Sequence, residues 1–233
     1  MNRKDRLSLP EEIMLLALQD EKGTTGMESM YPYAIGGAVL AELLMSQRLR
    51  LDSSKKKTAL IASAKPLGDP LLDDCLALVQ KAKKPASAQT WVTKFAGTKN
   101  LKHRLAMRLC DKGILKADED KVLLIFSRKI YPEINPEPEQ ELVERLRRAI
   151  FRDTDHLDPR TVVLVSLAKS AGLLTMVFDK KDLKARKDRI ERIIEGDTLG
   201  TATQEAIEAV KAAIFVACML PVITTTVITT ATS

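Results

Sequence analysis

Between Lys94 and Lys112 the chain carries Lys94, Lys99, Lys102, Arg104, Arg108 and Lys112 against a single acid, Asp111, a local excess of +5 in a chain whose formal net charge is +6. Lys99, Lys102 and Arg104 fall at the start of a helical pattern, where the dipole is positive and acids are the usual occupants. A bound anion reverses the penalty of placing cations there, and open N–H groups at a helix start together with lysines form a phosphate site. The chemistry indicated is anion binding. A solvated basic face is the alternative, since single lysines on helices are common.

Gly36-Gly37 precede an Ala- and Leu-rich helix expected over Ala38 to Ser46. They either present backbone N–H groups to a phosphate or allow close packing. Lys55-Lys56-Lys57 lies at a predicted hairpin tip, where it meets anionic headgroups or water. Asp69, Asp73 and Asp74 have the types of a cation site, but Asp69 precedes Pro70 as a helix cap and the other two are first-turn acids. His103 and His156 are the only histidines, and neither lies in an HExxH, Ser-His or Cys-His setting. No catalytic residue, metal site or cofactor is expected, and the chain is not expected to be an enzyme. Cys75, Cys110 and Cys218 are odd in number, widely spaced and embedded in apolar helical patterns, which suits a reducing cytosol rather than a disulfide framework. Trp91, with Val92 and Phe95, reads as core.

The elements that must position these residues are mostly helices. Ser8 caps a first helix with Pro10 in its first turn and Glu11 and Glu12 at the positive dipole end, closing at Gly23. Arg48 to Leu51 alternates with period two, Asp52 to Lys57 is polar and Thr58 to Ala62 is strand-like, giving a hairpin. Helix and hairpin recur: Leu101 to Lys112 is helical, Gly113 stops it, Ile114-Leu115 starts a strand, Ala117 to Asp120 turns and Lys121 to Phe126 returns. Further helices are expected from Pro70 to about Lys83, Glu139 to about Arg152, Pro159 to about Gly172, Lys181 to about Ile194 and Thr203 to about Leu220. The fold class is mostly α, a single helical domain over residues 1–233 with two small β-hairpins. Two helix-hairpin units are also how winged-helix modules look in sequence, so a nucleic-acid partner stays open.

Four segments carry a family resemblance: Leu7-Ser8-Leu9-Pro10-Glu11-Glu12-Ile13-Met14-Leu15-Leu16-Ala17-Leu18, Gly36-Gly37-Ala38-Val39-Leu40-Ala41-Glu42-Leu43, Gly68-Asp69-Pro70-Leu71-Leu72-Asp73-Asp74 and Lys112-Gly113-Ile114-Leu115. In this order, with Thr90-Trp91 between the third and fourth, the chain resembles the Golgi phosphoprotein 3 family from about Leu7 to about Ile214. The resemblance implies a helical domain that binds phosphatidylinositol 4-phosphate on Golgi membranes and tethers glycosyltransferase tails to coat proteins. It maps two of the family's headgroup residues onto Lys99 and Lys102. Ile35 stands where the family has an arginine, and the family's pocket tryptophan falls near Gly26 and Met27. Weak discrimination among anionic lipids is therefore expected, with Ile35→Arg sharpening it. The departures, with a short Arg3, Lys4, Arg6 head, are those of a distant member such as a bacterial one.

The expected partners are an anionic lipid headgroup on a membrane surface, bound by Lys99, Lys102 and Arg104 with Gly36 and Gly37 contributing backbone, and an unidentified client protein. The expected location is cytoplasmic and peripheral on a membrane. The N-terminal residues read as no secretory leader. From Ala212 to Ser233 there is no charge, but Pro221 and the threonines after it argue against a membrane span, leaving an uncharged tail from about residue 215.

Overall fold

Ser8 opens the first helix, α1 (Leu9–Leu18), and the acid three residues on reaches back over it: Glu11 Oε2 accepts from the Ser8 backbone N–H at 2.7 Å and from its hydroxyl at 3.0 Å. The computed structural model that shows this describes residues 6–18, 31–55, 57–122, 126–154, 156–198, 209 and 211–220. Every residue from Leu9 to Leu16 is buried, so α1 has to lie at the centre, where it touches α2 (Tyr31–Met45), α5 (Leu101–Asp111), α6 (Glu137–Phe151), α7 (Pro159–Ser170) and α8 (Leu174–Val177).

α2 packs across α1 on one side and α4 (Ala88–Ala96) on the other. Two glycines set these distances. A Cβ on Gly36 would lie 2.5 Å from the Val92 carbonyl oxygen of α4, and one on Gly37 would lie 2.9 Å from Leu220 Cδ2 in the last described helix, α11 (211–220). Trp91, Val92 and Phe95 of α4 are buried at the same interface, Trp91 and Phe95 with ring centroids 5.6 Å apart. A side chain of that kind contributes roughly 1.5–3 kcal/mol on burial. The buried side chains from α1 to α11 form one hydrophobic cluster.

The sequence reading of a mostly helical class holds. α3 (Pro70–Gln80) begins where expected, with Asp69 Oδ1 accepting from the Leu71 and Leu72 N–H groups at 3.0 and 3.1 Å. The expected helix from Lys181 to Ile194 is two pieces, α9 (Lys180–Ala185) and α10 (Lys187–Glu195). Arg186 interrupts it by donating to the Phe151 carbonyl at 3.0 Å and to Asp153 at 3.3 Å, anchoring the bend on the end of α6. α11 carries Ala213, Ile214, Val216, Ala217 and Leu220 into the core. Gly23, the rest of the helix expected from Thr203 and the tail beyond Leu220 lie outside the described residues.

The first hairpin forms where expected and gains a third strand, whereas the second is displaced. β1 (Leu49–Leu51) and β2 (Thr58–Ile61) pair antiparallel with Leu49 opposite Ile61, but β3 (Ala86–Ser87) adds to β2 with Ala59 opposite Ala86, making a three-stranded sheet. The second hairpin is displaced along the chain: its strands are β4 (Asp118–Val122) and β5 (Phe126–Ile130), with Asp118 opposite Ile130. Asp118 to Asp120, expected to turn, thus enter a strand. Ile114 and Leu115 are buried beneath the end of α5, and Leu115 only bridges Glu133.

Candidate functional site

The basic segment from Lys94 to Lys112 divides into cations that hold the fold together and cations that face outward. Arg104, Arg108 and Lys112 recur every four residues along one face of α5, and that face meets acids from α3 and α1. Arg104 Nη2 pairs with Asp74 at 2.5 Å and lies 3.4 Å from the Pro70 carbonyl oxygen. Arg108 reaches Asp69 at 2.8 Å and Glu11 at 3.2 Å, and Lys112 Nζ donates to Glu11 at 2.9 Å. Lys94 stands over the Trp91 ring at 4.6 Å.

The Glu11 carboxyl at the centre of this ladder is fully buried. Burial pushes its proton affinity up, but the hydrogen bonds from Lys112 and Ser8 and the charges of Lys112 and Arg108 outweigh that and hold it below the ordinary carboxylate value. Asp69 goes the other way: its burial, with Glu11 nearby, outweighs the cap hydrogen bonds and Arg108 and raises it.

Lys99 and Lys102 are exposed. They flank the turn into α5, where Thr98 N–H closes on the Phe95 carbonyl, Leu101 N–H closes on Thr98, and Asn100 takes a left-handed φ of 57°. Asn100 makes no side-chain cap, and no acid occupies the first turn. The positive end of the α5 dipole is therefore without a carboxylate of its own helix. His103 Nδ1 lies 2.6 Å from the hydroxyl of buried Tyr131, which fastens the first turn of α5 to the chain leaving β5.

Of the residues expected at the site, Lys99 and Lys102 are exposed on either side of Asn100 at the α5 entrance. Arg104 is directed to Asp74 on α3, which makes it a link between helices. Gly36 and Gly37 do not contribute backbone donors. They are inside α2, beyond the first four residues whose N–H groups a helix leaves open, and their role is close packing. Ile35, 1% exposed, is a core side chain of α2, and this corrects the expectation for Ile35→Arg. A guanidinium there would be buried without a partner, at a cost of several kcal/mol. The positions near Gly26 and Met27 lie outside the described residues, as does Lys56. Asp73 accepts from the Leu67 and Gly68 N–H groups at 2.6 and 3.0 Å, so each of Asp69, Asp73 and Asp74 has a structural task.

A second charged cluster lies deeper, and the sequence did not announce it. Glu12 of α1 accepts from Arg145 of α6 at 2.7 Å, and its other oxygen is 3.5 Å from Arg160 of α7. Arg160 also donates to both oxygens of Glu42 at 3.0 and 3.1 Å and to the Leu7 carbonyl at 2.8 Å, while Glu42 takes the Leu9 N–H at 2.7 Å. Burial lowers the basicity of Arg160, but Glu42 and Glu12 outweigh this and keep it firmly protonated. The available signal was that its two acids, Glu12 and Glu42, belong to segments carrying the family resemblance, while its cations Arg145 and Arg160 lie outside them.

The family profile described as Golgi phosphoprotein 3 (GPP34) matches residues 9–210. Among curated relatives, the chain is 25% identical over 226 residues to vacuolar protein sorting-associated protein 74 of Schizosaccharomyces pombe. That similarity covers 83% of this chain and 66% of the relative, slightly under two thirds of its length. With a profile match that runs from the first residue of α1 almost to α11, the chain belongs to the Golgi phosphoprotein 3 family.

Proposed function

We propose that this protein is a peripheral membrane adaptor that takes an anionic phospholipid headgroup at the entrance to α5 and recruits a client protein to the membrane. The observation that carries the proposal is the exposed pair Lys99 and Lys102 beside a helix start with neither a side-chain cap nor a first-turn acid. Dipole, backbone N–H groups and ammonium charge there favour the same ligand, a phosphate monoester of the kind that phosphatidylinositol 4-phosphate presents. Family membership supports Golgi association and a binding role without catalysis. Among the described residues no helix is long and apolar enough to cross a membrane, and attachment through a headgroup needs none.

Vesicle flotation tests this. The protein should float with phosphatidylcholine vesicles containing phosphatidylinositol 4-phosphate and stay behind with phosphatidylcholine alone. Lys99→Glu/Lys102→Glu should reduce binding by about tenfold or more while leaving the fold intact, because exposed lysines contribute little to stability. Flotation unchanged in that variant defeats the assignment of the site. A duplex gel shift in the absence of vesicle binding defeats the membrane proposal in favour of nucleic acid.

A further inference from the structure

We propose that a hollow bounded by α7, α8, α9 and α10 is a docking site for an acidic segment of a partner protein that carries one large apolar side chain. The hollow has a volume of about 270 Å³, with Leu174, Leu183 and Ile190 among its lining and Lys169, Lys180, Lys184 and Lys187 around it. An internal cavity of about 150 Å³ takes a benzene ring, so a phenylalanine or leucine side chain fits this one.

Lys180, Lys184 and Lys187 are exposed and all line the hollow, the first two one turn apart on α9 and the third at the start of α10. Among the described residues none of the three makes an ion pair with an acid. Lys169 is paired with Glu191 at 2.7 Å, and the nearby Asp179 accepts from the Lys181 N–H as the cap of α9. The rim is therefore strongly positive. Lysines on helices are solvated by default; these differ in surrounding an apolar floor that water covers at a cost.

The arrangement selects its occupant. Lys180 and Lys184 are about 6 Å apart along α9 and Lys187 opens α10, so the charges line the rim and do not form a single phosphate cradle. An extended peptide presents alternate side chains every 7 Å or so along one face, which matches such a row. No aromatic side chain lines the hollow, so nucleic-acid bases find nothing to stack on. A flat bilayer surface would meet the ammonium groups and leave the apolar floor unfilled. The proposal takes from the adaptor reading only the expectation of a protein partner, and its elements are separate from the α5 entrance.

The test is fluorescence anisotropy of a short labelled peptide with a central phenylalanine flanked by glutamates, titrated with the full chain at low salt. Saturable binding is expected, weakened about tenfold when the phenylalanine is alanine and about tenfold by Lys184→Glu/Lys187→Glu. That variant should keep its thermal midpoint and its vesicle flotation, whereas Lys99→Glu/Lys102→Glu should lose flotation and keep the peptide. Absence of saturable binding, or equal binding of a peptide with lysines in place of glutamates, overturns the proposal. So does loss of vesicle flotation in Lys184→Glu/Lys187→Glu with peptide binding intact, which makes the face a membrane contact.

Discussion

Gly36 of α2 and Val92 of α4 approach so closely that a Cβ on the glycine would stand 2.5 Å from the Val92 carbonyl oxygen and 2.9 Å from the Ala96 nitrogen. Both are backbone atoms of a packed helix and cannot step aside. Alanine inside a helix gains about 1 kcal/mol over glycine in propensity, and here the overlap should reverse that sign. Gly36→Ala is expected to destabilise by about 1–3 kcal/mol. Gly37→Ala meets only the end of the Leu220 side chain, which can rotate, and should cost less. Urea denaturation of the two variants checks the order.

Removal of one partner from the α5 ladder should separate the structural cations from the outward pair. Arg108→Ala leaves Glu11, which is fully buried, with only Lys112 as a countercharge, and should cost about 3 kcal/mol. Lys99→Ala should change stability by less than about 0.5 kcal/mol. Similar losses from the two in chemical denaturation would show that the basic segment is not divided as described.

Glu139 introduces a pH dependence near neutrality. Burial, then the charge and hydrogen bond of Glu133, push its carboxyl up to about 7 from an ordinary 4.5. The folded chain therefore holds that proton more tightly than the unfolded one. Its contribution to stability is complete below 4.5 and is lost as pH rises through about 7. Glu11 acts in the opposite sense: its depressed folded value gives stability that is present above 4.5 and lost as pH falls through the folded value. Glu139→Gln should flatten the decline in the urea midpoint between pH 5 and 8 that the wild-type chain shows, as read by tryptophan fluorescence, about the neutral point.

Thiol labelling should rank the cysteines by burial. Burial pushes the Cys75 thiol up to about 12, and Cys218 is exposed on α11. Under mildly alkaline conditions iodoacetamide should label Cys218 first and reach Cys75 only on unfolding, with mass spectrometry of the peptides as the readout. Early labelling of Cys75 would mean that α3 is less tightly docked than described.

Ser8, Pro10, Asp69-Pro70, Pro159 and Gly113 marked helix ends in the sequence because caps, first-turn prolines and a left-handed stop act within one turn of chain. The mostly helical class and the α5 boundaries were legible for the same local reason. The second hairpin was misplaced because its register depends on pairing between two strands, and Asp118 to Asp120 look like a turn until β5 pairs with them. The break at Arg186 depends on a carbonyl at the end of α6 and a carboxylate just beyond it, more than thirty residues away.

What the sequence by itself determined was the set of helices and the presence of a basic segment, since propensity, capping and charge are properties of neighbouring residues. Only the tertiary structure decided which of those charges are held by acids of other helices. Arg104, Arg108 and Lys112 look no different from Lys99 and Lys102 in the chain. They differ because α3 and α1 bring Asp74, Asp69 and Glu11 against one face of α5, and a buried carboxylate claims the nearest cation to offset its lost hydration.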